Sequence, residues 1–179
     1  SAGLPPAIVS SGSTPTHALA AESDVLTMLH PGNYAFLDAI QIALGVATEA
    51  DCALRVLATV ISHPRDDLLV IDAGAKCLGL DQGAHGCALV SGFGRVVGHP
   101  ELTLASLSEE VGKLHIEGST GLAVGDRVEI IPNHACSSAN CTDAFVALRG
   151  DKVERFIAVE ARGNRMRRTG ERFRYEIAM

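Results

Sequence analysis

Short runs of branched apolar residues, broken by Gly, Pro and Asp, dominate the hydrophobic pattern of this chain. The clearest run lies in DCALRVLATVISHP, which is continuous, rich in β-branched residues and ended by His63-Pro64. A second run lies in DDLLVIDAG and stops at Asp72, and a third follows a turn in VGDRVEIIPNHA. Runs of this length and composition, bounded by turn residues, predict buried strands.

Three further segments add to this pattern. The apolar residues Ala7–Val9 predict a short strand that runs into a polar loop, and residues 34–37 predict a strand with Tyr34 and Phe36 on one face. Residues 144–163 predict a hairpin whose turn is Arg149-Gly150-Asp151-Lys152. The sum predicts a mainly β fold with few short helices, an antiparallel domain of about eight strands that is best closed as a barrel because closure removes unpaired edges.

One segment, ELTLASLSEEVGKLHIEG, fits two patterns. Leu102 and Leu104 alternate as in a strand, whereas Leu104, Leu107, Val111 and Leu114 have helical spacing. The pattern alone leaves strand and helix open here.

Composition narrows the class of protein. The chain has 179 residues, of which 47% are hydrophobic, so one core of ordinary size can form without disulfides. The formal net charge of −6 argues against general nucleic-acid binding, and no apolar run is long enough to suggest a membrane span. Five cysteines, an odd number in a chain of this size, favour a reduced, cytoplasmic protein over a disulfide scaffold.

Basic residues are concentrated near the end of the printed sequence. Six arginines lie within residues 162–174, and we interpret residues 166–179 as a solvated basic tail rather than a nucleic-acid arm. The chain begins with Ser1 rather than Met, so we expect that it is processed or is a piece of a longer protein.

The pair His134 and Cys136 is the first candidate site. Residues i and i+2 of an extended chain point the same way, so imidazole and thiolate could both reach one zinc ion and leave room for a substrate oxygen. Seven histidines and five cysteines can also produce this spacing by chance. A structural zinc site completed by Cys141 and a Cys136 nucleophile with His134 as base are further readings, but the sequence shows neither a second thiolate pair nor an orienting third group.

The loop SSGSTPT is the second candidate site. A strand followed by Gly12-Ser13-Thr14 offers backbone N–H groups and hydroxyls that suit a phosphate. A plain polar turn ended by Pro15 explains the same residues, so the loop alone does not distinguish a phosphate site from an ordinary turn.

Taken in order, the segments of this chain resemble the C-terminal part of the D-serine dehydratase and D-threonine aldolase family. The resemblance spans roughly residues 5–163, and it rests on the series VSSGSTPT, HPGNYAFLDAIQIALG, DCALRVLATVIS, LLVIDAGAKCLGLD, GFGRVVGHPE, LSEEVG, VGDRVEIIPNHAC and VEARG. Each motif is weak by itself, and their order carries the resemblance.

The resemblance implies an architecture. Members are fold-type III enzymes that use pyridoxal phosphate (PLP), built like alanine racemase from a TIM-type barrel and a C-terminal β domain. It implies that residues 1–20 are the last barrel strand with its phosphate loop and that residues 21–165 are a metal-binding β domain, which the basic tail at residues 166–179 follows. It also implies a homodimer, in which the β domain packs against the TIM-type barrel of the partner subunit.

The resemblance assigns roles to the cofactor residues. Ser11, Gly12, Ser13 and Thr14 match the loop that holds the cofactor phosphate through backbone N–H groups. Tyr34, in PGNY, matches a tyrosine near the cofactor.

His134 and Cys136 match the metal ligands of the family. His-x-Cys is similar to the zinc-dependent D-serine dehydratase form, whereas D-threonine aldolases more often carry His-x-Asp. The implied reaction converts D-serine to pyruvate and ammonia, with PLP as electron sink and zinc as the Lewis acid at the β-hydroxyl. A D-threonine or 3-hydroxyaspartate aldolase-type lyase is the alternative.

The chain departs from the family pattern in two ways. Val111 stands where a histidine usually follows the acidic pair, which puts a polar role there in doubt. None of Lys76, Lys113 and Lys152 matches the Schiff-base lysine, so we expect this chain to be inactive by itself. A stand-alone β-barrel binding module and a redox sensor that uses Cys136 and Cys141 remain as alternatives.

Overall fold

The computed structural model describes residue 3 and residues 6–84 and 87–162, which form two units divided after Cys141. The strands of the first unit are β1 (Ser10–Ser11), β2 (Met28–Leu29), β3 (Val56–Arg65), β4 (Leu68–Ile71), β5 (Gly83–Ala84), β6 (Cys87–Ala88), β7 (Gly94–Val96), β8 (Leu102–Leu107), β9 (Gly112–Ile116) and β10 (Arg127–Pro132). Its α-helices are α1 (His17–Ala21), α2 (Ala39–Ala43), α3 (Ala75–Leu78) and α4 (Ala135–Asn140), and its 3-10 helices are Thr14–Thr16, Asn33–Ala35 and Glu49–Asp51.

Six strands of the first unit form one antiparallel sheet in the order β7-β10-β3-β4-β9-β8. The two outer strands approach each other, since Phe93, just before β7, donates its backbone N–H to the carbonyl of Leu104 in β8 at 3.0 Å. The sheet is therefore a nearly closed barrel, which removes most of its free edge. The predicted mainly β, barrel-like fold with few short helices is confirmed.

The barrel closes around an apolar interior because its strands bury alternate residues. In β9, residues 112, 114 and 116 are buried while Lys113 and His115 are exposed, as the two-residue period of a strand requires. The buried cluster consists of Ala58, Val60, Leu69, Ile71, Ala73, Leu78, Val96, Leu102, Leu104, Leu114, Ile116, Val128 and Ile130.

A glycine makes the approach of the outer strands possible. Gly92 has a φ of +72°, and a Cβ built there would lie 2.4 Å from the carbonyl oxygen of Leu104. A larger residue would meet both the strain of a left-handed backbone and a backbone clash. Gly92 therefore allows the loop before β7 to lie against β8, and we call this contact the barrel seam.

The segment with two possible patterns, residues 101–118, forms the β8–β9 hairpin. Leu102 pairs with Ile116 and Leu104 with Leu114, so the leucines that could have lined a helix instead line the barrel interior from two strands. Ser108 closes the turn by donating its N–H to the carbonyl of Val111 at 2.9 Å. Burial on one face of the sheet therefore favoured the strand pattern over the helical spacing.

Two predicted strands near the start of the chain are wrong. The first strand is β1 at Ser10–Ser11, not Ala7–Val9, and it pairs in parallel with β2. Residues 33–35 form a 3-10 helix, in which Asn33 accepts backbone hydrogen bonds from Phe36 at 3.1 Å and Leu37 at 2.8 Å. Because the chain turns at Asn33, Tyr34 and Phe36 do not share a strand face.

The second unit is a hairpin of β11 (Ala144–Arg149) and β12 (Lys152–Ala158). The predicted turn at residues 149–152 is confirmed, since Arg149 pairs with Lys152. Arg162, from the arginine-rich segment, forms an ion pair with Asp143 at 2.8 Å. The predicted basic tail, residues 166–179, lies outside the described residues, within which no helix is long and apolar enough to cross a membrane.

Candidate metal and cofactor site

A cavity of about 430 Å³ in the first unit lies where β10 ends and α4 begins. It brings together residues that are far apart in the sequence. Its walls are formed by Ser13, Thr14, Pro15, Gly32, Asn33, Asp38, Ile40, Gln41, Asp81, Gly83 and His134. Part of the predicted phosphate loop and one of the two predicted metal ligands therefore line the same cavity.

His134 occupies the turn between β10 and α4. Its backbone is extended (φ −133°, ψ 104°), and its carbonyl accepts the N–H of Ser138 at 3.2 Å in the first turn of the helix. Nδ1 of the ring lies 3.2 Å from Oδ1 of Asp81 and 3.3 Å from Oγ of Ser137. The ring is thus held from one edge, and Nε2 is the nitrogen that these contacts leave for a metal.

Cys136 lies inside α4, is exposed, and is not among the cavity-lining residues. The expected geometry, two side chains on one face of an extended segment, is wrong because the helix begins at Ala135. Partial burial raises the pKa of the Cys136 thiol, and the negative charges of Asp38 and Asp81 raise it further. Within the described ranges, no three His, Cys, Asp or Glu side chains form a group that could hold a metal ion.

Asp38 fixes the position of this turn. The residue is fully buried, and its carboxylate accepts hydrogen bonds from the side-chain amide of Asn33, from the N–H of Gln41 at 3.0 Å and from the N–H of Ala135 at 2.9 Å. It caps α2 and also bonds the first residue of α4, between His134 and Cys136. One side chain therefore connects the Asn33 turn with the segment of the predicted metal ligands.

Asp81, which lies between α3 and β5, also contacts His134. Partial burial acts to raise the pKa of its carboxyl, but hydrogen bonds from Ser137 and His134 outweigh this and lower the pKa below its ordinary value. The side-chain amide of Asn133 donates to the backbone carbonyls of Asp81 and Gly92, both at 2.8 Å. The segment of Asp81 is thereby attached to the strand end that carries His134.

Only part of the predicted phosphate loop lines the cavity. Gly12 has a φ of +156°, and a Cβ there would lie 2.5 Å from the backbone nitrogen of His30, so only glycine fits. Ser13 and Thr14 line the cavity, whereas Ser11 and Gly12 do not. Thr14 is 4% exposed, and its hydroxyl finds no hydrogen-bond partner among the described residues.

Tyr34 is 59% exposed and is not among the residues that line the cavity. Its neighbour Asn33 does line it. The role assigned to Tyr34 stays a prediction.

The cavity lining fits the phosphate of PLP, and toward a metal it offers the imidazole of His134. Three of the buried polar atoms without a partner in the described part of the chain belong to cavity-lining residues: Thr14 Oγ1, Asn33 Oδ1 and Gln41 Oε1. Buried polar groups of this kind are costly unless a ligand or water pairs with them, and a hydroxyl such as that of Thr14 suits a phosphate oxygen. Of the two predicted metal ligands the lining contains His134, whose imidazole is a usual zinc ligand, and the described lining has neither Lys nor Arg to repel a cation.

Sequence reasoning missed Asp38, Asp81 and Gln41. A signal existed for the first, because Asp38 followed three positions later by Gln41 is a pattern typical of a helix N-terminus. Asp81, in LGLDQG, carries no comparable signal, since only the fold brings it to His134.

Comparison with known families shows to which family this chain belongs. Residues 53–148, more than half of the sequence, match the family model described as "Putative serine dehydratase domain". The chain belongs to this serine dehydratase domain family. The predicted resemblance to D-serine dehydratases and D-threonine aldolases is thereby confirmed.

Relatives of this serine dehydratase domain are D-amino-acid lyases. The chain is 35% identical over 163 residues to D-threo-3-hydroxyaspartate dehydratase of Delftia sp. HT23, covering 84% of this chain and 43% of the relative. It is 32% identical over 157 residues to D-serine dehydratase of Dictyostelium discoideum, covering 80% and 40%. The chain thus spans less than half the length of these two enzymes.

A different kind of relative occurs in Mycobacterium tuberculosis. An uncharacterized protein of that organism is 37% identical over 131 residues, which cover 70% of this chain and 96% of the relative. That relative therefore consists almost entirely of the region that matches.

Solved structures share the fold of the serine dehydratase domain. The Delftia dehydratase superposes with a TM-score of 0.76 at 32% identity over 88% of this chain and 45% of that one. An alanine racemase-like protein from Idiomarina loihiensis superposes with a TM-score of 0.78 at 29% identity over 88% of this chain and 44% of that one. A D-threo-3-hydroxyaspartate dehydratase has also been solved as alanine variants of a histidine and of a cysteine two positions later, the latter in a metal-free form.

Proposed function

We propose that this chain is the C-terminal, metal-binding domain of a cytoplasmic, homodimeric PLP- and zinc-dependent D-amino-acid dehydratase that converts D-serine to pyruvate and ammonia. His134 and Cys136 would bind the zinc, and Ser11, Gly12, Ser13, Thr14 and Tyr34 would contact PLP. When bound, the two groups supply an electron sink and a Lewis acid for loss of the substrate hydroxyl.

One observation carries this proposal: a single cavity contains the buried, unpartnered hydroxyl of Thr14 and the imidazole of His134. The hydroxyl suits the phosphate of the cofactor, and the imidazole suits a metal beside it. The paired alanine variants of the D-threo-3-hydroxyaspartate dehydratase support the metal assignment, because the substituted histidine and cysteine have the same spacing as His134 and Cys136.

Within this proposal, the residues of this chain hold and orient PLP and zinc, and they do not themselves perform the bond-breaking step. Asp38 fixes the turn between His134 and Cys136, and the Thr14 hydroxyl is placed to donate to an anionic oxygen. None of Lys76, Lys113 and Lys152 matches the Schiff-base lysine of the family, so we expect the 179-residue chain to form no pyruvate from D-serine when PLP and zinc are added.

Two exposed thiols allow a direct test of the zinc assignment. Cys136 and Cys141 are both exposed, and only Cys136 is a proposed ligand. We expect zinc to slow alkylation of Cys136 by iodoacetamide at least tenfold while Cys141 reacts at an unchanged rate, because a coordinated thiolate is not free to attack.

Peptide mass spectrometry of the alkylated chain measures both rates in one sample. His134→Ala should abolish the protection of Cys136. Equal rates at Cys136 with and without zinc, or protection that survives His134→Ala, would contradict the assignment.

The choice between dehydratase and aldolase concerns the longer enzyme. His-x-Cys favours the dehydratase. A protein that combines this domain with the lysine-bearing barrel should release pyruvate from D-serine faster than it cleaves D-threonine or 3-hydroxyaspartate. Faster carbon–carbon cleavage would establish the aldolase-type alternative.

A stand-alone binding module is the second candidate, favoured by the mycobacterial relative that is almost entirely this domain. The reading frame upstream of Ser1 separates the two candidates. A barrel-coding segment with a lysine near its start supports the enzyme domain, and a start codon close to Ser1 supports the module.

A further inference from the structure

The carboxylate of Asp81 contacts the proposed metal ligand His134, and neither the resemblance nor the comparisons assign it a role. Oδ1 of Asp81 lies 3.2 Å from Nδ1 of His134, and the two side chains are 33% and 38% exposed, so water reaches this pair only partly. The contact joins residues 53 positions apart, which makes it a product of the fold rather than of local sequence.

The chemistry of the pair determines where the ring proton lies. An ionised carboxylate can only accept a hydrogen bond, so Nδ1 of His134 must be the donor. A neutral imidazole carries one N–H, which leaves the lone pair on Nε2. The hydroxyl of Ser137, 3.3 Å from the same Nδ1, can accept or donate and therefore does not choose the tautomer.

The backbone of Asp81 is also held close to His134, so the contact does not depend on the two side chains alone. Asn133, which precedes His134, is 1% exposed and donates its amide to the carbonyl of Asp81 at 2.8 Å. The carbonyl of Asp81 and its carboxylate are thus attached to two consecutive residues, Asn133 and His134. Asp81 also lines the cavity that contains His134.

We propose that Asp81 is a positioning residue that holds the Nδ1 proton of His134, so that Nε2 is the nitrogen that binds the metal. This rests on the proposed function, in which His134 is a zinc ligand. Carboxylate–histidine–metal arrangements of this kind orient the ring and raise the basicity of the ligand nitrogen. Asp81 acts through His134 and is not itself a ligand.

Zinc affinity of the full 179-residue chain, measured by competition with a chromogenic chelator, is the first readout. Asp81→Ala should weaken zinc binding by about 10- to 100-fold, the usual effect of removing such a partner. Asp67→Ala is the matched control, because it removes one carboxylate from a surface turn where Asp67 pairs with Arg65 at 3.0 Å, and it should keep the wild-type affinity.

The tautomer of the His134 ring is the second readout. If Asp81 only stabilised the fold, its replacement would leave this tautomer unchanged. ¹⁵N-histidine NMR of the wild-type chain should show His134 protonated at Nδ1 both without zinc and with zinc bound through Nε2. In Asp81→Ala, folded as judged by circular dichroism, the metal-free ring should shift toward Nε2 protonation. Asp81→Asn, which keeps the side-chain volume, replaces Asp81→Ala in both assays if the latter does not fold, with a smaller loss of affinity expected.

The outcomes separate this inference from the proposed function. If the wild-type chain binds no zinc, the zinc assignment fails, and the metal-free tautomer still tests Asp81. If zinc binds equally well to wild type and Asp81→Ala, or binds through Nδ1, the inference on Asp81 is overturned while the zinc site stands. If X-ray absorption at saturating cobalt(II) shows one protein ligand fewer in Asp81→Ala than in wild type, Asp81 is a direct ligand and its role as a positioning residue is overturned.

Discussion

The cysteines of this domain differ in how far solvent reaches them. Cys52 is 3% exposed, and its Sγ contacts the carbonyl of Thr48 at 3.5 Å. Burial raises its pKa to about 11, and the negative charge of Asp38 contributes in the same direction. Cys136 and Cys141 are exposed. Cys52 therefore belongs to the packing of the domain and not to its chemistry.

This shift predicts how stability depends on pH. The thiol of Cys52 has a pKa near 9 when unfolded and about 11 when folded, so above pH 9 the unfolded chain loses a proton that the folded chain retains. The free energy of unfolding should therefore be unaffected below pH 9 and should fall between pH 9 and pH 11, by on the order of 2 kcal/mol from this residue.

Urea unfolding at pH 8, 9, 10 and 11 measures this effect. Cys52→Ala should flatten the decline relative to wild type, whereas Cys141→Ala, at an exposed site, should keep the wild-type profile. Parallel profiles for wild type and Cys52→Ala would show that the Cys52 thiol does not contribute.

At the scale of secondary-structure elements, the short helices near the cavity depend on one carboxylate. Asp38 accepts from Asn33 in a 3-10 helix, from Gln41 in α2 and from Ala135 in α4. Helices of five and six residues are too short to be stable by themselves, so their ends must be fixed by such contacts.

Replacing this residue should therefore be costly. We predict that Asp38→Ala lowers the free energy of unfolding by about 3 kcal/mol, because it removes a helix cap and leaves buried N–H donors without an acceptor. Asp51→Ala is the control. Asp51 also caps a helix, accepting from Thr48 N at 2.8 Å, but at an exposed site where water can replace it, so its loss should be much smaller.

Urea denaturation of the three proteins gives these differences, and equal losses in the two variants would contradict the role assigned to buried Asp38. Circular dichroism before denaturation checks that both variants fold.

The elements that the sequence predicts correctly are those set by burial on a sheet. β3, β4 and β10 follow from continuous or alternating apolar runs, because the barrel interior imposes that period. Two of the elements predicted wrongly, residues 34–37 and the segment of Cys136, are set by hydrogen bonds to Asn33 and Asp38. The bonds to Asn33 form a local turn and the bond from Ala135 to Asp38 joins segments 97 positions apart, and neither kind produces a periodic pattern of apolar residues in the sequence.

On the scale of the whole first unit, a tight backbone contact lies where the outer strands of the barrel approach each other. At the barrel seam, Gly92 lies against the carbonyl of Leu104, and its own carbonyl accepts the amide of Asn133 at 2.8 Å. Closure of the barrel and the position of the strand end that carries His134 therefore involve the same glycine.

Two glycines with similar backbones allow the barrel seam to be tested. Gly92 and Gly98 have φ values of +72° and +75°, but a Cβ at Gly98 meets nothing within 4 Å. We predict that Gly98→Ala costs about 1 kcal/mol from backbone strain alone, and that Gly92→Ala costs a further 1–3 kcal/mol because the methyl group collides with backbone.

Thermal and urea unfolding of both variants measure the difference. If the two substitutions have the same effect, the contact at Leu104 does not limit closure of the barrel.

For the whole first unit, the sequence predicts the architecture but not every residue that lines the cavity. The mainly β fold and the family follow from the apolar runs and the order of motifs, and the structure places Thr14 and His134 in one cavity. Asp81 and Gln41 could not be predicted, because their presence there depends on how separate loops meet around the barrel end.

The shared acceptor at Asp38 has a consequence for how this region can change. Its carboxylate bonds both the Asn33 turn, next to Tyr34, and Ala135, between the proposed metal ligands. A shift of either segment alters the geometry available to the other, so substitutions in the two segments should be non-additive in a double-mutant cycle. We therefore expect the turn at Asn33 and the turn at His134 to change together among relatives, and a graft of one turn without the other to destabilise the domain.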